Sequence, residues 1–155
     1  MANITLRTAT AEDHPFIESL SPVLAEQAKF SWHKAEVIGE FQDDYIAEML
    51  ADTDEPHITL ILEKDAKPLG FVHARENVDE LSGEVRCTVP LLAVSESAQG
   101  MGAGKALMAA VEEWSRKQGY RLMHLEVFST NEQARGFYGN IGYEEETIHM
   151  IKALD

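Results

Sequence analysis

A glycine-rich stretch between a strand pattern and a helix pattern constrains the fold of this chain most strongly. Residues 99–104, QGMGAG, follow the apolar segment 84–94, EVRCTVPLLAV, and precede a helical pattern with Leu107, Val111 and Trp114 on one face. Glycine is a poor helix former, so its repeated use here indicates that the backbone needs a positive φ or must be approached closely.

The start of that helix is predicted to bind an anion. No Ser, Thr, Asp or Asn lies between residues 98 and 104 to cap it. Its first N–H groups therefore lack acceptors, and the helix dipole adds partial positive charge there, which favours a phosphate. The structural alternative is a tight turn capped upstream by Ser95 or Ser97.

Two familiar phosphate-binding motifs do not match the stretch. A dinucleotide fingerprint G-x-G-x-x-G fits Gly100 and Gly102, but its third glycine position holds Lys105. A P-loop ending in Gly104-Lys105 requires glycine where the chain has Gln99. The prediction that free backbone amides bind an anion does not depend on either motif.

Strand and helix patterns alternate along the rest of the chain. They predict strands at 3–9, 57–63, 68–76, 84–94, 121–128 and 143–154. They predict helices at 10–28, at 34–50, from the glycine stretch to Gly119, and at 130–142, the last opened by a capping box from Thr130 to Gln133. Pro90 cannot donate to a ladder and predicts a bulge or a local opening. The order predicts an α/β (α+β) domain with a mixed sheet.

Composition limits the classes of partner. The 155 residues suit one domain, 1–155, and the net charge is −14, with 7 basic and 19 acidic residues in the first 98. Such a chain repels nucleic acid, and its acidic half favours a cationic partner. No apolar run is long enough for a membrane span, and no signal-peptide pattern opens the chain. The single cysteine, Cys87, is expected to pack in the core, and its isolation is compatible with a reducing cytoplasm.

Two motifs resemble the signatures of the GNAT superfamily of N-acetyltransferases. The stretch from Gln99 to Gly104 is similar to its acyl-coenzyme A signature Q/R-x-x-G-x-G/A. Residues 125–143, LEVFSTNEQARGFYGNIGY, are similar to its second signature, L-x-V-x-x-x-N-x-x-A-x-x-F-Y-x-x-x-G-F/Y. The resemblance implies a twisted, mostly antiparallel sheet of six to seven strands, splayed between strands 4 and 5 and flanked by about four helices.

The resemblance also implies the residues that hold acetyl-CoA. Backbone N–H groups would bind its pyrophosphate, with the contacting residues Gln99, Gly100, Met101, Gly102, Ala103, Gly104 and Lys105. The pantetheine arm and acetyl carbonyl would contact Leu92, Ala93, Val94, Asn131 and Tyr138.

Acetyl transfer from a thioester needs a neutral amine, a polarised carbonyl and a proton for the thiolate. Tyr138 matches the family's tyrosine near the coenzyme sulfur and is the predicted acid. For the base, Thr88 occupies the place where many relatives carry a glutamate, so Glu126, Glu84 or a water chain remain as candidates. The strand histidines are expected to be satisfied polar residues, and no metal-ligand spacing is present.

The acceptor is not identified by the sequence. Phe30 and Trp32, between the first two predicted helices, are expected to wall the pocket for a small amine, an amino acid, a protein N-terminus or a lysine. One alternative is a non-catalytic acyl-CoA-binding or sensing module. Another is an interaction domain that forms a homodimer through residues 143–154.

Overall fold

The computed structural model describes residues 4–154 of the chain, so Asn3, the first residue of a predicted strand, lies outside the described part. The strands are β1 (Ile4–Thr8), β2 (His57–Lys64), β3 (Lys67–Val78), β4 (Val85–Val94) and β5 (Met123–His124). The α-helices are α1 (His14–Ser19), α2 (Ser21–Ala25), α3 (Ala35–Ala51), α4 (Ala103–Gln118) and α5 (Glu132–Asn140).

The strands form one mixed sheet in the order β1-β2-β3-β4-β5. The first four are antiparallel neighbours, whereas β5 runs parallel to β4 through two rungs, Cys87 opposite Met123 and Thr88 opposite His124. Beyond Thr88, no strand within residues 4–154 pairs with the free edge of β4. The predicted opening between the fourth and fifth strands is confirmed.

A β-bulge lies beside the opening and confirms the expectation from Pro90. Leu91 pairs with His73, but the next pair is Thr88 with Arg75, so β4 has one residue more than β3 over this interval. The extra residue reverses the alternation of side chains. Before the bulge the even-numbered Thr88 points away from the α4 side, and after it the odd-numbered Leu91 does so.

Each face of the sheet carries a hydrophobic core. On one face, Leu107, Met108 and Val111 of α4 are fully buried against strand residues that include Val72 and Cys87. Burial raises the pKa of the Cys87 thiol to about 11, in line with its predicted packing role. On the other face, α1 and α3 pack their apolar side chains on Ile61 and Phe71.

The predicted strands at the C-terminal end are largely wrong. Of residues 121–128, only Met123 and His124 form a strand, and residues 143–154 form none, so five strands stand where six to seven were expected. An alternating pattern specifies which side chains share a face of a strand. It does not provide the adjacent strand whose backbone must form the hydrogen bonds. Residues 125–128 lie beyond the point where the pairing with β4 stops, and Ile148 and Met150 remain 73% and 85% exposed.

Two helix boundaries also differ from the prediction. The helix expected at 10–28 is divided at Leu20, and Pro22, which has no N–H, lies in the first turn of α2. Asn131, rather than Thr130, caps α5, because its side-chain oxygen accepts a hydrogen bond from the Ala134 amide at 3.1 Å. Thr130 instead accepts a hydrogen bond from the amide of Lys29, in the α2–α3 connection.

Candidate active site

The glycine stretch leaves a group of backbone amides without acceptors. Gly102 is the N-cap of α4 with a φ of 75°, and Gly100 has a φ of 83°. Residues with a side chain rarely adopt this backbone conformation. No side chain caps the helix, and a Cβ placed at either glycine would meet no atom within 4 Å. Among residues 4–154, no group accepts from the N–H groups of Gly100, Gly102, Ala103, Gly104 and Lys105. The start of α4 therefore has the open amides and the helix dipole that favour an anion.

The upstream serines do not supply the missing cap. The hydroxyls of Ser95 and Ser97 lie 3.2 Å apart and bond to each other. Gln99 and Lys105 are exposed, whereas Ala103 is buried and Met101 packs on the core beneath α4. The packing of Met101 and Ala103 on the core holds the backbone of the turn, and its free amides face outward.

The open edge of β4 ends beside these amides. The Ser95 amide bonds to the carbonyl of Leu69 on β3 at 2.8 Å. Because backbone groups on an antiparallel strand alternate in direction, Ala93 also faces β3. Leu92 and Val94 then direct their N–H and C=O groups toward the side from which β5 has separated. This edge is available to an extended ligand.

Helix α5 brings Tyr138 to the same core cluster as Leu92 and Val94. Its ring lies edge-on to that of Tyr143, with centroids 5.7 Å apart. Burial raises the pKa of Tyr138 to about 12, so the phenol is protonated at neutral pH. The Tyr143 hydroxyl donates to Glu112 at 2.7 Å, whereas no partner within residues 4–154 is hydrogen-bonded to the Tyr138 hydroxyl.

Helix α5 also packs closely on the start of α4. A Cβ added to Gly104 would lie 3.4 Å from Cζ of Phe137. The residue before Tyr138 therefore contacts the helix turn that carries the free amides. This packing fixes the position of α5 relative to the anion site.

The candidate bases occupy very different surroundings. Glu126 is exposed, has no ion-pair partner among the described residues, and its charge raises the pKa of the Tyr45 phenol, whose upward shift comes mainly from burial. Glu84 instead forms two hydrogen bonds with Arg121, of 2.6 and 3.0 Å. It precedes β4, whereas the free amides follow that strand, and ten residues of strand span roughly 33 Å. The structure does not bring Glu84 to the others.

A polar pair at the end of the β4–β5 ladder was not expected as a functional element. The hydroxyl oxygen of Thr88 lies 2.8 Å from Nδ1 of His124. Partial burial lowers the pKa of His124, and Arg86 lowers it further, whereas Glu126, Glu146 and Asp79 raise it. Sequence reasoning missed the pair because the two residues are 36 positions apart and no local pattern states that they are opposite each other.

Aromatic side chains from the α2–α3 connection lie over the segment that follows β5. Phe30 stacks on Trp32 with centroids 5.3 Å apart and meets Phe128 edge-on at 5.9 Å. Helix α3 adds a stacked pair, the exposed Phe41 and the half-buried Tyr45, with centroids 5.6 Å apart. Of these aromatics, Tyr45 lies close enough to Glu126 for the carboxylate charge to affect its pKa.

The exposure of Phe41 corrects the predicted face of α3. Helical spacing within residues 34–50 predicts an apolar stripe of Ile38, Phe41, Tyr45 and Met49. The buried stripe is Ile38, Gln42, Ile46 and Met49, and Phe41 is 53% exposed.

Residues 4–154 contain neither a cluster of three or more metal-ligating side chains nor a helix long and apolar enough to cross a membrane.

Comparisons with known proteins agree with this geometry. The model of the acetyltransferase (GNAT) family matches residues 18–143. Mycothiol acetyltransferase of Jonesia denitrificans is 26% identical over 140 residues, which are 88% of this chain and 43% of that protein. The aminoglycoside N(6')-acetyltransferase type 1 of Stenotrophomonas maltophilia is 32% identical over 109 residues, 66% of this chain and 71% of the relative.

A solved structure of the aminoglycoside N-acetyltransferase AAC(6')-Iy in complex with CoA superposes with a TM-score of 0.70 at 18% identity. The superposition covers 99% of this chain and 96% of that one, which shows a common fold. The chain spans less than half the length of the mycothiol relative, 43%. The match over residues 18–143 nevertheless covers most of this chain, which therefore belongs to the acetyltransferase (GNAT) family.

Proposed function

We propose that this protein is an N-acetyltransferase, formed as one domain over residues 1–155 and acting in the cytoplasm. It transfers the acetyl group of acetyl-CoA to a primary amine by direct attack on the thioester. One observation supports the proposal: α5 packs on the turn with the uncapped amides through Phe137, and its Tyr138 shares a core cluster with Leu92 and Val94 at the open edge of β4. Together they supply an anion site, a peptide-like edge and a proton donor.

The amides from Gly100 to Lys105 fit a diphosphate. A phosphate group placed there replaces the missing helix cap and receives several charge-assisted hydrogen bonds. Gln99 and Met101 shape the turn, and the exposed Lys105 ammonium adds positive charge. The bound CoA of the AAC(6')-Iy structure supports a coenzyme with this diphosphate.

The edge formed by Leu92, Ala93 and Val94 suits the pantetheine arm, whose amides can pair with a free strand. An N–H group on this edge also donates to the thioester oxygen as it gains charge, which stabilises the transition state. Asn131 is proposed to contact the arm with its amide nitrogen, because its oxygen already caps α5.

Tyr138 is proposed to protonate the departing thiolate. With a pKa of about 12 its hydroxyl holds a proton at neutral pH, and no partner among the described residues holds that proton elsewhere. The thiolate of coenzyme A is a stronger base than water. Because burial of Tyr138 limits the access of solvent, the thiolate rather than water accepts its proton.

The acceptor side is suited to a cationic amine. Glu126 has no ion-pair partner within residues 4–154, and the N-terminal 98 residues carry most of the net charge of −14. Glu126 is proposed to attract the ammonium, while Trp32 and Tyr45 contact its carbon skeleton. The aminoglycoside acetyltransferases among the relatives are consistent with such an acceptor. The acidic surface opposes nucleic acid as a partner.

A test combines coenzyme binding with turnover. Calorimetry with CoA should show binding, and thiol release from acetyl-CoA should accelerate with an amine from a panel of spermidine, kanamycin, glycinamide and an N-terminal peptide. Tyr138→Phe should lower kcat by about 10²-fold, the lower range for loss of a general acid, with CoA affinity unchanged. Tyr143→Phe is the matched control, because its hydroxyl is bound to Glu112. Equal turnover in both variants would remove Tyr138 from the reaction.

One observation favours a second candidate. Thr88 stands where a carboxylate base is common in the family, which suits a module that binds acyl-CoA without catalysis. Slow thioester hydrolysis that no amine accelerates, with intact CoA affinity, would support it. The exposed Ile148 and Met150 keep a homodimer through residues 143–154 as a further proposal, which sedimentation equilibrium tests.

A further inference from the structure

We propose that His124 accepts the proton of the acceptor amine and that Thr88 orients its imidazole for this role. The inference rests on the proposed acetyl transfer and names the proton acceptor that the sequence left open. It is carried by the place of the pair in the sheet, by its hydrogen bond, and by the charges around it.

The pair lies at the apex of the opening in the sheet. Thr88 and His124 form the last rung that joins β4 to β5, and the strands separate directly beyond it. The Leu92 amide, which faces the opening, is four residues further along β4 but only three rungs because of the bulge, roughly 10 Å at the usual rise per residue. In the proposed transfer, bridging waters in this opening relay the proton from an amine beside Leu92 to His124.

The pair faces the side from which an acceptor can enter. Arg75, Thr88 and His124 are direct neighbours across three strands, so their side chains share one face of the sheet. The bulge places that face opposite α4, beneath α3. Tyr45 of α3 lies above it, close enough to Arg75 and Glu126 for both charges to shift the pKa of its phenol.

The hydrogen bond determines which nitrogen is available. At 2.8 Å, Nδ1–H of His124 donates to the hydroxyl oxygen of Thr88 in the proposed tautomer. Nε2 then carries the lone pair, and no group within residues 4–154 is hydrogen-bonded to it. The proposal commits to this tautomer, because the opposite one would leave Nε2 protonated and unable to accept.

The surrounding charges suit a base that is neutral at rest. Partial burial and Arg86 lower the pKa of His124, which keeps the imidazole unprotonated near neutral pH. Three carboxylates face it, from Asp79 before β4, Glu126 after β5 and Glu146 in the C-terminal segment. They stabilise the imidazolium once the proton has been transferred.

Every proton in the transfer has a donor and an acceptor. One proton leaves the ammonium and passes through water to Nε2 of His124, and the amine lone pair forms a C–N bond to the carbonyl carbon as the C–S bond breaks. Tyr138 gives its proton to the thiolate. The second nitrogen proton returns through water to the tyrosinate, and His124 releases its proton to solvent.

The chain contains a matched control for the pair. The hydroxyl of Thr59 also lies 2.8 Å from Nδ1 of a histidine, His73, but that histidine is 1% exposed and burial lowers its pKa to about 4. Thr59→Val and Thr88→Val therefore remove the same type of bond from a closed and from an open site.

The first experiment is an NMR titration of ¹⁵N-histidine-labelled protein in complex with CoA. Neutral His124 should carry its proton on Nδ1, and Thr88→Val should abolish that preference, whereas Thr59→Val should not change it. A neutral His124 protonated on Nε2 would overturn the proposal. This readout does not depend on the acceptor, so it remains decisive even if no amine is acetylated, a result that would refute the proposed function instead.

The second experiment compares two kinds of acceptor in the thiol-release assay. His124→Gln should lower kcat/KM by about 10²-fold with spermidine, which is protonated at pH 7, and by less than about tenfold with hydroxylamine, which is mostly neutral. If spermidine is not a substrate, the most reactive protonated amine of the panel replaces it, with the same expected loss. An equal loss with both reactants, or none, would contradict the assignment.

Discussion

Gly102 and Gly119 provide a controlled test of the amide site. They flank α4 as its N-cap and C-cap, with φ of 75° and 88°, and a Cβ at either position would meet no atom within 4 Å. Alanine at each therefore changes the same physical quantity, the cost of a left-handed backbone, without a steric clash. Only Gly102 lies among the free amides.

The expected magnitudes separate the two variants. A left-handed alanine costs about 1–2 kcal/mol, so each substitution should lower the free energy of unfolding by a similar amount. When the backbone at residue 102 relaxes to avoid the strain, the amides of Ala103 and Gly104 turn away from the diphosphate. Loss of one hydrogen bond to a charged group, about 1.5–3 kcal/mol, should raise the Kd for CoA roughly tenfold to a hundredfold in Gly102→Ala.

The assay is calorimetric titration with CoA at one salt concentration, accompanied by thermal melts of both variants. Gly119→Ala should bind CoA as the parent protein does, despite its lower Tm. If folded Gly102→Ala keeps the parent affinity, or if both variants lose affinity equally, the amides of α4 do not hold the diphosphate.

Two further results are expected. Glu84→Gln should leave kcat unchanged and cost at most about 1 kcal/mol of stability, because Glu84 is engaged by the exposed Arg121; a large loss of turnover would restore Glu84 as a candidate base. Asp13 is buried and bonded to Arg7, which holds the pKa of Asp13 at about 2, below its unfolded value near 3.8. This contribution, roughly 1–2 kcal/mol, is present above about pH 4 and is lost as the pH falls through 2. Urea titrations should therefore show Asp13→Asn less stable than the parent at pH 7, with most of that difference gone at pH 2.

Features with a local cause could be predicted from the sequence. Gly102 and Gly119 adopt positive φ because glycine alone does so without strain, and Pro90 marks the bulge because it lacks a donor. These properties belong to the residue itself and need no distant partner. The amino-acid order alone therefore indicates the start of α4, its end and the opening of β4.

Features that depend on distant partners could not be predicted in this way. Two candidate buried stripes on α3 differ by one position, Phe41 with Tyr45 or the polar Gln42 with Ile46, and the packing on Phe71 selects the second. Helical periodicity alone does not distinguish adjacent stripes when both contain large side chains.

The bulge in β4 also explains how one strand can serve both reactants. Residues four positions apart share a face of a regular strand. The bulge takes up one residue, so Thr88 faces α3 while Leu92 packs on the α4 side. If the proposed transfer is correct, an amine can approach from the α3 face while the coenzyme extends from the start of α4, and the two meet at the edge that β5 leaves open.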